Sequence, residues 1–183
     1  LVTGENEGLA DSIILMSVNP ISMKVTMTSI ARDSYVPISC YGSSEKINAA
    51  HASSESCMVK TVENLMGIDI DYTIEFNFAS VVQVVDAVGG VDVENDTPFY
   101  GQSWDLTTNE LNVIPIPYGG LVHMNGAEAL GFVRERMAYA DGDFARQRHQ
   151  QAVIEDIINK IMTSKSPQMF LDILDAAGNN IKT

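Results

Sequence analysis

The segment DYTIEFNFASVVQVVDAVGGVDVE, residues 71–94, changes its hydrophobic period twice. Asp71-Tyr72-Thr73-Ile74-Glu75-Phe76-Asn77-Phe78 alternates at period two, the pattern of a half-buried strand. Residues 78–88 then carry Val81, Val82, Val85 and Val88 at helical spacing, and Gly89-Gly90 stops the helix. Val91-Asp92-Val93-Glu94 resumes as a short strand. Strand, helix and strand in immediate succession mark an α/β chain.

The same alternation extends outward. Upstream, Ser12-Ile13-Ile14-Leu15-Met16-Ser17-Val18 is an apolar run that ends at Asn19-Pro20, a turn signal. Lys24–Ile30 follows with a high β-branched content, so the two runs read as neighbouring strands, the first buried on both faces. Residues 41–45 read as loop. Residues 47–65 turn helical, with Ala50, Cys57, Met58, Val62 and Leu65 inward and Gly67 as the stop. Downstream, residues 95–125 read as a long loop with one short strand at 111–116, and 126–132 as a short helix. A strong helix spans 144–162, with Val153, Ile154, Ile157, Ile158 and Ile161 in one apolar stripe. The expected class is α/β, a mixed β-sheet covered by helices on both faces, in a single domain over residues 1–183. Leu1-Val2-Thr3-Gly4 resembles the end of a strand, and an apolar helix after Pro167 stops at Gly178-Asn179-Asn180 with no partner. Both ends therefore suggest a truncated domain.

With 183 residues, 45% hydrophobic and 19% charged, the composition is globular and excludes disordered and Cys-dense scaffolds. A net charge of −13 repels nucleic acid and anionic lipid. No apolar run approaches the roughly 20 residues that span a bilayer. Two cysteines, Cys40 and Cys57, flank a Gly/Ser-rich loop and lack metal-ligand spacing; a bridge and two buried thiols both remain open. P-loop, nucleophile-elbow and dinucleotide glycine motifs are missing, and His51, His123 and His149 share no zinc spacing.

The chemistry concentrates where the positive charge does. Four of the five arginines, Arg134, Arg136, Arg146 and Arg148, fall within fifteen residues. Arg134 and Arg136 on an extended segment would face one ligand, and Arg146 and Gln150 lie one helical turn apart. Asp143 stands at the start of that helix, where backbone N–H groups favour anions. Several guanidinium forks beside a helix N-terminus suit a diphosphate. The alternative is a surface network in which Glu135, Asp141 and Asp143 neutralise the arginines. At the other end of the chain, Asp11 and Arg32-Asp33 meet if the two first strands pair antiparallel, and Asp11 with Asp33 could hold Mg2+. Capping or pairing with Arg32 is the plainer role for both. A solvated helical position is the plainer reading of His149.

These pieces resemble the LytR-CpsA-Psr family. The resemblance is carried by Asp11-Ser12-Ile13-Ile14-Leu15, Thr28-Ser29-Ile30-Ala31-Arg32-Asp33-Ser34-Tyr35-Val36, Lys46-Ile47-Asn48-Ala49-Ala50, Gly67-Ile68-Asp69-Ile70-Asp71-Tyr72 and Val88-Gly89-Gly90-Val91. It continues through Asn125-Gly126-Ala127-Glu128-Ala129-Leu130, Arg134-Glu135-Arg136 and Asp141-Gly142-Asp143-Phe144-Ala145-Arg146. It implies a mostly Gram-positive bacterial enzyme, anchored by one upstream membrane helix with its catalytic domain on the extracellular face. Such an enzyme moves a glycopolymer (teichoic acid, capsule or another wall polysaccharide) from a polyprenyl-pyrophosphate carrier to peptidoglycan as a phosphodiester. By similarity, Arg32, Arg134, Arg136, Arg146 and Gln150 bind the pyrophosphate, Asp11 binds Mg2+, and the lipid tail lies in an apolar groove. Asp143, then Asp33, are the candidate bases. An extracellular site also favours a Cys40–Cys57 bridge. The sequence departs from the family at Gly4-Glu5-Asn6, where a further metal-binding Asp is usual, and at His149, where an Arg is common. Two rival functions share the same residues: a Mg-dependent pyrophosphatase, and a non-catalytic binder of lipid-linked glycan in wall-stress signalling.

Overall fold

The computed structural model describes residues 2–3, 9–19, 21–22, 24–164, 166, 168, 171–173 and 181–182. The Gly4-Glu5-Asn6 departure and most of the apolar segment after Pro167 lie outside the described residues. The chain is α/β, and it forms two compact units, one of residues 1–77 with 179–183 and one of residues 78–178. Every strand ladder among the described residues is antiparallel.

In the first unit, strands β1 (Val2–Thr3), β2 (Ala10–Asn19) and β3 (Lys24–Ile30) form one sheet with β2 in the centre. The β2–β3 hairpin runs in register from Ile13↔Ile30 to Asn19↔Lys24. Only its root is buried, at Ala10, Ser12 and Ile13; Met16 and Val18 are exposed, so β2 is not covered along its whole length. The outer half of the hairpin carries its apolar residues beyond this core. Strands β4 (Tyr35–Pro37) and β5 (Ser44–Lys46) make a second hairpin, which takes Ser44 and Glu45 out of the expected loop.

The expected helix over 47–65 is broken in two, α1 (Ala49–Ser53) and α2 (Glu55–Met66). Ser54 is the reason: its backbone is extended and its hydroxyl accepts from Cys57 N at 3.0 Å, an N-cap that starts a new helix. Gly67, at φ +67°, closes α2 in the left-handed region. Ala50, Cys57, Met58 and Val62 face the core as expected, whereas Leu65 is exposed. The alternating segment at 71–78 yields only β6 (Thr73–Ile74), paired with β11 (Ile181–Lys182).

In the second unit, helix α3 (Phe78–Ala87) ends at Gly89-Gly90, both with positive φ, and leads into β7 (Val91–Asn95). Residues 95–125 hold far more structure than their loop-like composition suggests: β8 (Tyr100–Asp105), β9 (Glu110–Pro115) and β10 (Gly120–Met124), with β8 pairing β9 and β10 pairing β7. The β8–β9 turn is held by Asp105, whose carboxylate accepts from Thr107 N and Thr108 N, and by Asn109 at φ +58°. Helix α4 (Gly126–Arg134) begins at a complete capping box between Asn125 and Glu128. Helix α5 (Asp143–Thr163) lays Val153 into a core of Val85, Val91, Val93, Ile116, Met124, Ala129 and Phe132. Its stripe fades toward the C-terminus, where Ile161 is exposed. Lys160 fastens α5 to β7 through Asp92 at 2.7 Å and the Gly90 carbonyl at 2.9 Å.

Candidate functional site

In the first unit the antiparallel register of β2 and β3 brings Asp11 beside the residue that leaves β3. Arg32 Nη1 lies 2.5 Å from Asp11 Oδ1, and Arg32 Nε 3.7 Å from Asp33 Oδ2. Lys46 Nζ, from β5, lies 2.6 Å from Asp33 Oδ1. The backbone here is fixed by Asn48 N donating to the Arg32 carbonyl and Ile47 N to that of Ser34. One guanidinium thus touches two carboxylates, one its sequence neighbour and the other 21 positions upstream. No group of three or more His, Cys, Asp or Glu able to hold a metal occurs among the described residues. A pair of carboxylates fits an ion such as Mg2+, which takes one or two from protein and fills its shell with water and phosphate oxygens.

In the second unit Arg134 is the last residue of α4, and Glu135 leaves the helix in an extended conformation. Arg134 and Arg136 therefore do not share a strand face, since the first still belongs to the helix. The Arg134 guanidinium lies over the Phe78 ring, 4.1 Å from its centroid. It donates to Gln102 Oε1 at 3.3 Å and weakly to the Gln102 carbonyl at 3.5 Å. Arg136 is exposed. On α5, Arg146 is 6% exposed and pairs with Asp143 at 2.6 Å. The end of α4 and the first turns of α5 lie side by side, joined by Gln150 Nε2 donating to the Val133 carbonyl at 3.2 Å. The chain closes between them at Gly142, whose φ of +51° suits glycine.

The three acids of this region do different work. Asp141 pairs with Arg148 at 2.6 Å, and that guanidinium holds its carboxyl below the ordinary value. Asp143 holds Arg146 and accepts from Gln147 Nε2 at 2.9 Å. Glu135 instead turns its carboxylate onto its own loop, accepting from the backbone N–H groups of Arg136, Met137 and Ala138. The neutralising network accordingly claims Arg146 and Arg148, while Glu135 shapes the loop that carries Arg136.

His149 is not the solvated helical residue that its position suggests. Its ring stacks on Phe132 at 4.1 Å and meets Tyr139 edge-on at 4.5 Å, and Tyr139 is anchored by its hydroxyl on Asn95 Oδ1. Burial, then the neighbouring Arg148 charge, push its pKa down from 6.5 to about 4. Because the folded value is the lower one, the unfolded chain takes up the proton first. Stability is full above about pH 6.5 and declines as pH falls toward 4. The urea midpoint is expected to drop between pH 7.5 and 5.5, and His149→Phe to flatten that slope. An equal drop in both proteins would assign the slope to other groups.

The second unit thus gathers Arg134, Arg136, Asp143, Arg146 and Gln150 at one helix-to-helix junction, and the first gathers Asp11, Arg32 and Asp33. Phe78 and Gln102, which hold Arg134, carried no sign in the sequence: one reads as the junction of an alternating segment and a helix, the other as part of a loop.

Comparison with known proteins places the chain in a family. The model of the LytR_cpsA_psr family matches residues 3–183. A protein of Bacillus cereus named polyisoprenyl-teichoic acid--peptidoglycan teichoic acid transferase TagU is 39% identical over 181 residues, 98% of this chain and 56% of that protein. Its namesake in Enterococcus faecalis is 34% identical over 178 residues, 97% of this chain and 55% of that protein. The chain therefore spans a little over half the length of these curated relatives. Among solved structures, Bacillus subtilis TagV superposes with a TM-score of 0.79 at 28% identity, over 99% of this chain and 71% of that one. A structure of TagT bound to LI-WTA gives 0.75 at 29% identity, over 99% and 66%. With the family model matching nearly its whole length, the chain belongs to the LytR-CpsA-Psr family.

Proposed function

We propose that this domain transfers a wall glycopolymer from a polyprenyl-pyrophosphate carrier to peptidoglycan, on the outer face of a cell membrane to which an upstream helix anchors the whole protein. The observation that carries the reading is the arginine junction of the second unit. In a chain of net charge −13, Arg134, Arg136 and Arg146 stand at one helix-to-helix junction, with Arg136 exposed and Arg134 held on an aromatic ring. Guanidinium forks are the side chains suited to diphosphate oxygens. The names of the teichoic acid transferases supply the polymer class. The Cys40–Cys57 bridge favours an oxidising location.

In this reading Arg134, Arg136 and Arg146, with Gln150, hold the pyrophosphate, and Arg32 serves a phosphate oxygen in the first unit. An acceptor hydroxyl oxygen bonds to the phosphorus that carries the sugar. The bond from that phosphorus to the bridging oxygen breaks, and polyprenyl phosphate leaves. The hydroxyl proton passes to one carboxylate, Asp143 being the first candidate and Asp33 the alternative. Asp11 and Asp33 are the residues that would hold Mg2+, which when bound neutralises charge on phosphate oxygens. Phosphoryl transfer asks mostly for positioning and charge stabilisation, which the arginines supply.

The test is incubation of the protein with Mg2+, a labelled polyprenyl-pyrophosphoryl glycan and a peptidoglycan oligomer. Label moving onto the oligomer is the expected result, with Asp143→Asn slowing transfer by about a hundredfold if it takes the proton. Phosphate release equally fast without acceptor would make the protein a pyrophosphatase. Donor binding with no covalent product would make it a binder.

A further inference from the structure

We propose that Gln102 is a positioning residue, one that aims the Arg134 guanidinium at the donor pyrophosphate; the inference rests on the pyrophosphate reading above. Gln102 lies on β8 between two residues that are fixed to α4, the helix Arg134 ends. On one side is Gly101, where a Cβ would sit 2.8 Å from the Gly131 Cα, so β8 and α4 touch backbone to backbone. On the other is Ser103, 2% exposed, whose hydroxyl donates to the Ala127 carbonyl at 2.6 Å. The two backbone segments that carry Gln102 and Arg134 are thus held in a set relation. Neither neighbour tolerates a larger side chain without breaking it.

The outward face of β8 then meets the arginine. Phe78 packs 6.4 Å from Trp104, and Arg134 stacks on that same Phe78 ring. Stacking sets the plane of a guanidinium but leaves it able to rotate within that plane. Gln102 removes that freedom, because its side-chain oxygen takes Nη2 and its main-chain oxygen takes Nη1. One residue therefore engages both terminal nitrogens and orients the fork.

The amide is the appropriate chemistry for such a part. A carboxylate at position 102 would grip the guanidinium harder and cancel the charge that phosphate needs. An apolar side chain would leave only the weaker main-chain contact to limit the rotation. A neutral acceptor orients Arg134 without adding a negative charge beside it, and Gln102 is exposed, so its replacement leaves the core intact.

The experiment is calorimetric titration with inorganic pyrophosphate in Mg2+ on four proteins: the wild type, Gln102→Met, Arg134→Ala and the double variant. Gln102→Met is expected to weaken binding about fivefold in the wild-type background, the net worth of one ordinary hydrogen bond, and less than about twofold once Arg134 is gone. A residue acting only on the fold would cost the same in both backgrounds. Gln102→Glu should weaken binding more than Gln102→Met, in spite of its stronger grip. Equal losses in both backgrounds, or no loss in the first, would overturn the positioning role alone. Failure of the wild type to bind pyrophosphate, or an Arg134→Ala protein binding as well as the wild type, would overturn the pyrophosphate reading and this inference with it.

Discussion

Arg134→Ala is expected to lower kcat/KM for glycopolymer transfer by about a hundred- to a thousandfold, the usual cost of one preorganised donor to a developing oxyanion. The fold should survive. Arg134 closes α4 rather than filling a core, so its loss removes a cation–π contact worth about 0.5–1 kcal/mol and a favourable charge at a helix C-terminus. The thermal midpoint is accordingly expected to move by only a few degrees, which separates a site defect from misfolding. Arg134→Lys is the sharper variant. It keeps the charge and loses both the fork and the planar stacking on Phe78, so it should recover little of the rate. Full recovery by Lys would mean that charge alone matters at this position. Undiminished transfer by the Ala variant would remove Arg134 from the pyrophosphate site.

How far the sequence disclosed this site depends on the kind of signal each residue leaves. Periodicity announced α3, β7 and α5, because a buried face repeats at a set interval and burial of apolar area is what holds those elements. Strand β9 matches the short strand expected at 111–116, but its hairpin partner β8 left no such mark. Its inward positions are Gly101 and Ser103, chosen for close approach to α4, and small residues read as loop. The break at Ser54 was written in a capping hydroxyl, a single-residue signal that a helical stripe overrides on inspection. At the site, the clustering of arginines in an acidic chain was visible. What each carboxylate does with them was not, because Asp143, Asp141 and Glu135 look alike in sequence. They divide between an ion pair within α5, a pair spanning the loop, and three backbone amides. Charge composition locates a site, while partner choice depends on backbone geometry that only the fold supplies.

Breaking the Cys40–Cys57 bridge is the second change expected to act strongly, and it acts through the unfolded chain. The bridge closes a loop of sequence separation 17, with Cα atoms 5.8 Å apart. On the chain-entropy model such a loop is worth about 3 kcal/mol, which for a chain of this length corresponds to a thermal midpoint lower by about 6–12 °C. The loop contains β5 and α1, and these hold the first cluster: Lys46 pairs with Asp33, and Asn48 N donates to the Arg32 carbonyl. Local contacts add to the bridge, since Ser39 N donates to Thr61 Oγ1 and Thr61 in turn to the Cys57 carbonyl. They are too few to replace it, because each hydrogen bond contributes about 1 kcal/mol net and the loop must be closed before any forms. Reduction, or Cys40→Ser with Cys57→Ala, is therefore expected to lower the midpoint in a melt followed by circular dichroism. The loosened loop should also raise the amide exchange rates of residues 44–50, while those of α4 and α5 stay as they were. A midpoint unchanged by reduction would show that the Ser39–Thr61–Cys57 hydrogen bonds and the core around Ile38, Ile47 and Met58 hold the loop by themselves.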